Sequence, residues 1–136
     1  ICWGWMADRL GSSLTVLMII CIVSLSSTLI LVYFDPGWNR ALIYLLFFVI
    51  GATAVGWNGV FHAEAARLSP PGMASVVAAG PTFFVFAGAL IGPAAFAAAY
   101  GSVGSYSQTF LMVPAISMLA LGLLALAQRA AVREAE

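Results

Sequence analysis

Charge is what this chain has least of. It contains no lysine, five arginines and five acids in 136 residues, so charged side chains make up 7% of it. A soluble domain carries about 25%. A water-soluble globule is therefore excluded, and with no basic patch or stripe, so is a nucleic-acid footprint. Histidine occurs once, at His62, and cysteine twice, at Cys2 and Cys21. His62 and Glu64 stand two apart and diverge on a helix, with no second histidine to complete a ligand set, so no metal site is expected. The cysteines form no Cys-x-x-Cys pair and read as small apolar residues. No Ser/His/Asp constellation, phosphate-binding glycine loop or pair of buried carboxylates is present, so the chain is not expected to be an enzyme, nor to need a cofactor.

What is abundant is apolar surface: 63% hydrophobic residues and a mean hydropathy of +1.07. The uncharged run Leu68–Gln128 is 61 residues long. As one helix it would measure about 90 Å, three times the hydrocarbon core of a bilayer, so it must fold back on itself. Two shorter uncharged runs, Leu10–Phe34 and Ala41–Phe61, each suit one span of about 20 residues. Four transmembrane helices follow, at about 14–33, 41–60, 73–97 and 108–127. Pro70-Pro71-Gly72 ends the second, and the Gly/Ser-rich segment Ala98–Ser107 is the hairpin between the last two. Gly80-Pro81 and Gly92-Pro93 would break a soluble helix but are tolerated in a packed span. The opening segment, residues 1–7, is expected to be the tail of a truncated span, which makes the chain a fragment with its missing residues upstream. Residues 128–136 form a polar tail.

The arginines orient the bundle. Arg9, Arg67, Arg129 and Arg133 fall on one side and Arg40 alone on the other. The positive-inside rule makes the first side cytoplasmic, with both ends of the chain there. The expected location is a bacterial-type inner or plasma membrane.

The most specific string is Gly4-Trp5-Met6-Ala7-Asp8-Arg9-Leu10-Gly11. It resembles the G-x-x-x-D-R-x-G core of the signature loop of the major facilitator superfamily, with Ser12-Ser13 where that pattern often continues with basic residues. The resemblance implies an all-α polytopic transmembrane helix bundle, the C-terminal part of a twelve-helix major facilitator fold, running from the end of helix 8 to helix 12. It further implies that Asp8, with Gly4, Arg9 and Gly11, latches this half to the missing N-terminal half. The segment Glu64–Gly72 resembles the family's loop between helices 10 and 11, with Met73 in place of a basic residue. There Glu64 and Arg67 read either as solvated loop residues or as a gate.

By the same resemblance, residues 41–60 are helix 10 and line the solute pathway. Tyr44, Phe47 and Asn58 share one face, and together with Trp57 they are the candidate cavity residues, helix packing being the alternative for that face. Residues 73–97 are helix 11, where Gly80, Gly88, Gly92 and Pro93 mark a close, moving interface. Gly88–Gly92 is a GxxxG step, and Gly92-Pro93 is similar to the Gly-Pro element of the antiporter signature, which belongs to helix 5. The implied activity is secondary active transport of a small solute by alternating access. Proton coupling through His62 is the weaker option. The bilayer, the other half and the solute are the expected partners. A non-transporting four-helix scaffold or assembly subunit is the rival reading.

Overall fold

A computed structural model describes residues 2–35 and 37–134. Those residues form helices joined by short turns, with no strand among them: α1 (Cys2–Leu10), α2 (Ser13–Val32), α3 (Arg40–Arg67), α4 (Ala74–Val103), α5 (Tyr106–Phe110) and α6 (Met112–Glu134). Helices α2, α3 and α4, and α5 with α6 taken together, are each long and apolar enough to cross a membrane. This is the architecture of a multi-pass membrane protein.

Local chemistry explains the helix ends. Gly11 turns the chain between α1 and α2 with φ +62°, a backbone region that a Cβ would strain. Ser12 then caps α2, its hydroxyl accepting from the Thr15 N–H at 3.2 Å. Asn39 caps α3 through its side-chain oxygen, which accepts from the Ala41 N–H at 2.8 Å. Between them Asp35 accepts from the Gly37 N–H at 2.6 Å, fixing the turn after Phe34.

Two helices outrun the spans expected of them. Helix α3 continues seven residues past Val60, to Arg67, so His62, Glu64 and Arg67 stand on helix rather than in a loop. No proline intervenes before Pro70, alanines favour continuation, and a Glu64–Arg67 pair one turn apart supports it. Helix α4 passes through both Pro81 and Pro93 and ends only at Val103. The alanine-rich stretch after Pro93 carries it on. Gly104, at φ +71°, ends it with an N–H bond back to Tyr100 at 2.8 Å. The expected hairpin of 98–107 thus shrinks to Gly104-Ser105. The last span is interrupted at Leu111, between α5 and α6. Pro114 explains the break, because it has no N–H to offer the Phe110 carbonyl four residues back.

The core lies where α1, α2, α3 and α6 converge. Val16, Leu17 and Ile20 of α2 and Val60 of α3 are buried, with Trp3, Met6, Ala7, Trp57, Phe61 and Leu124 packed against them. Helix α4 has no buried residue. The buried hydroxyls of Ser27, Thr28, Thr53 and Thr109 all donate to carbonyls of their own helices, which leaves no buried side-chain polar atom unpaired among the described residues. That arrangement is what an interior without water demands. Tyrosines and a tryptophan gather near the end opposite the arginine-rich one: Phe34 packs edge-on against Trp38, and the Tyr100 and Tyr106 rings lie tilted with centroids 4.5 Å apart. Such residues suit a membrane–water boundary.

Candidate functional site

The turn after α1, the end of α3 and the end of α6 line a half-open cavity of about 710 Å³, where Asp8, Gly11, Ser12, Ser13, Glu64, Arg67 and Gln128 stand beside the apolar Ala7, Leu14 and Val132. This brings together two strings that lie more than fifty residues apart in sequence. Each arrives by a different route: Asp8 on the last turn of α1, Ser12 and Ser13 at the capped start of α2, and Glu64 and Arg67 on the polar extension of α3. Because these residues come from helix ends, the arginine-rich ends of α1, α3 and α6 lie at the same end of the bundle.

Inside the cavity the strongest contact is a two-pronged ion pair. Arg67 donates from Nε to Glu64 Oε2 at 3.0 Å and from Nη2 to Oε1 at 2.5 Å. Glu64 is buried while the Arg67 side chain is 70% exposed, so the carboxylate is held in place and the guanidinium reaches it from the solvent side. Asp8 is exposed and has no hydrogen-bond or ion-pair partner among the described residues. Arg9 turns away from it and lies over the Trp5 ring, 5.3 Å from the centroid, a cation–π contact. The arrangement holds one carboxylate engaged and one free beside a guanidinium that solvent can reach. Ion pairs there can exchange partners; no nucleophile is paired with a base.

The glycines of the signature string divide. Gly11 makes the turn, but a Cβ on Gly4 would meet nothing within 4 Å, so Gly4 is not a point of close approach. Helix α1 packs through Trp3, Met6 and Ala7 instead.

The four candidate cavity residues of α3 do not share one space. Tyr44 is exposed. Phe47 lines a small apolar groove beside Leu31, Phe34 and Tyr106. Trp57 packs edge-on against Phe61 and faces a different apolar groove of about 650 Å³ beside Gly80, Pro81, Phe84 and Gly88 of α4. Asn58 donates to the Val55 carbonyl of its own helix at 3.2 Å, the local partner that lets an amide sit within a span. On α4, a Cβ at Gly80, Gly88 or Gly92 would likewise meet nothing within 4 Å, and Gly92 and Pro93 lie outside that groove.

Close approach occurs elsewhere. A Cβ at Gly56 of α3 would overlap the Trp3 indole, whose Nε1 donates to the Ala52 carbonyl at 3.1 Å. Sequence reading passed over these residues, although Ala52 and Gly56 form a small-xxx-small step of the kind that marks helix contacts. Among the described residues no three His, Cys, Asp or Glu side chains group closely enough to hold a metal ion. No protein-family model matches the chain, and searches of curated proteins and of solved structures find no similar protein.

Proposed function

We propose that this chain belongs to a secondary active transporter of the major facilitator type, moving a small solute by alternating access. The observation that supports this reading is the shared cavity: the G-x-x-x-D-R-x-G turn and the Glu64–Arg67 pair face one another at the arginine-rich end. On this reading that end is cytoplasmic. Asp8, without an ion-pair partner among the described residues, meets the N-terminus of a helix from the other half when the cytoplasmic side closes. Arg67 and Glu64 form the gate beside it, and α4 lies along the contact between halves. A carboxylate at a helix N-terminus contributes about 0.3–2 kcal/mol, enough to move a balanced two-state equilibrium roughly two- to thirtyfold.

The test is solute uptake by the full protein in proteoliposomes, against a panel of small metabolites and drugs, with and without a proton gradient. Gradient-dependent uptake, slowed several-fold by Asp8→Asn with insertion unchanged, is the expected result. Absence of uptake for every solute, with the protein co-purifying in a stable larger assembly, would favour the membrane scaffold instead.

A further inference from the structure

Trp3 to Ala52 is a side-chain hydrogen bond that joins two different helices; apart from the Ser13 hydroxyl of α2 reaching the Glu64 carboxylate of α3, the other side-chain hydrogen bonds among the described residues close within four residues of sequence. Of the glycines, Gly56 is the one whose Cβ would overlap another helix, since the indole occupies that place. Helices α1 and α3 run in the same direction, both toward the arginine-rich end. The residues one turn to either side of Gly56 on its face, Ala52 and Val60, each carry the Cβ that the indole must avoid. Gly59, three residues on, also lacks a Cβ, so it is the bare Gly56 together with the Ala52 carbonyl that sets the register seen here.

We propose that Trp3, seated on Gly56 and tied to the Ala52 carbonyl, is a register pin that holds α1 and α3 as one body and so sets the spacing of Asp8 from Glu64 in the cavity they share with Arg67. Asp8 lies five residues beyond Trp3, and Glu64 eight beyond Gly56, a rise of about 7.5 and 12 Å respectively. A slip of one turn, about 5.4 Å, would bring Asp8 level with Glu64 in one direction or set it about 10 Å short of Glu64 in the other, so either slip changes the spacing of the two carboxylates. Trp3 is thus a positioning residue for the polar end. The pin rests on packing geometry alone and stands whether or not the chain transports a solute.

The experiment places spin labels at Leu10→Cys and Ala66→Cys, both exposed positions, in the full protein in nanodiscs with Cys2→Ala and Cys21→Ala as background. Pulsed electron–electron distances should give one narrow peak. Gly56→Val should at least double its width or shift its centre, because the valine side chain displaces the indole. Trp3→Ala alone should broaden the peak as well, because the indole and its bond to Ala52 are gone, and combining it with Gly56→Val should broaden it no further, because both changes break the same contact. A peak unmoved by Gly56→Val overturns the pin. So does a peak unmoved by Trp3→Ala, or a double variant broader than either single one, since the damage from Gly56→Val would then lie in α3 itself. If Gly56→Val does not insert, Trp3→Phe decides: the ring stays and the donor is lost, so a broadened peak supports the pin and an unchanged one overturns it.

Discussion

Helices α3 and α4 both carry glycines at helical spacing within apolar sequence, yet they meet their surroundings differently. On α3, Gly56 sits under an indole with no room for a Cβ. On α4, Gly80, Gly88 and Gly92 face open space, and the helix buries nothing. The contrast teaches that a small-residue step states only what a helix can do. In a bilayer, lipid competes for apolar surface on equal terms, so helices associate where shape and hydrogen bonding favour it. Trp3 supplies both on α3, whereas among the described residues no side-chain hydrogen bond joins α4 to another helix.

The sharpest way to break the comparison is to cut equal volumes from the two regions. Ile20→Ala removes a side chain that is 3% exposed, and Leu90→Ala one that is 80% exposed. The first should cost on the order of 2 kcal/mol in a detergent–SDS unfolding titration, the low end for such cavities because lipid rather than water is the reference. The second should change stability by less than about 0.5 kcal/mol. Equal losses in the full protein would mean that α4 is covered there by another surface.

Glycine on the bare helix gives the next largest effect. A Cβ on Gly92 meets no atom within 4 Å and Gly92 lies outside the groove of Trp57, so in Gly92→Leu helix content and unfolding should hold steady to within about 0.5 kcal/mol. If α4 lies between the two halves of a transporter, the added side chain separates them, and uptake should fall about tenfold, or about 1.4 kcal/mol in the coupling of the halves. Unchanged uptake would leave α4 facing lipid.

Much of this architecture was legible because membrane chemistry is coarse. The uncharged runs set the number of spans, and α4 continues as a single helix through both of its prolines. The run from His62 to Arg67 was not legible as helix, because polarity suggested a loop while alanines and an i,i+3 ion pair favour continuation. The cavity was half legible. Asp8, Glu64 and Arg67 stood out as charges in an apolar chain, but that they face one space depends on how α1 docks on α3. That docking turns on Trp3 and Gly56, and an indole fitting over a missing Cβ leaves no periodic signal. Nor could periodicity reveal that Asn58 satisfies itself on Val55 or that Trp57 points toward α4.

The smallest effect separates two serines that occupy the same helical position. Ser12 and Ser105 each precede a helix as its N-cap, with extended backbone. Ser12 opens α2 in the packed region, and its hydroxyl accepts from the Thr15 N–H and from the Thr15 hydroxyl at 2.9 Å. Ser105 opens α5 at the edge and makes no side-chain capping bond; its carbonyl alone is engaged, by Thr109. Ser12→Ala therefore strands an N–H at the start of α2 and should cost about 1 kcal/mol. Amide exchange over Leu14–Val16 should quicken about fivefold as a result, while Ser105→Ala should leave exchange at Ser107–Thr109 unchanged. Ser12→Asn, a cap of equal strength, should restore slow exchange. Ser12→Asp should restore less, because a new carboxylate there would share the cavity with Asp8 and Glu64, and that repulsion offsets its favourable position at the helix N-terminus. Equal exchange rates for Ser12→Asn and Ser12→Asp would show that the three acids do not feel one another, and that the polar end is open water rather than an enclosed site.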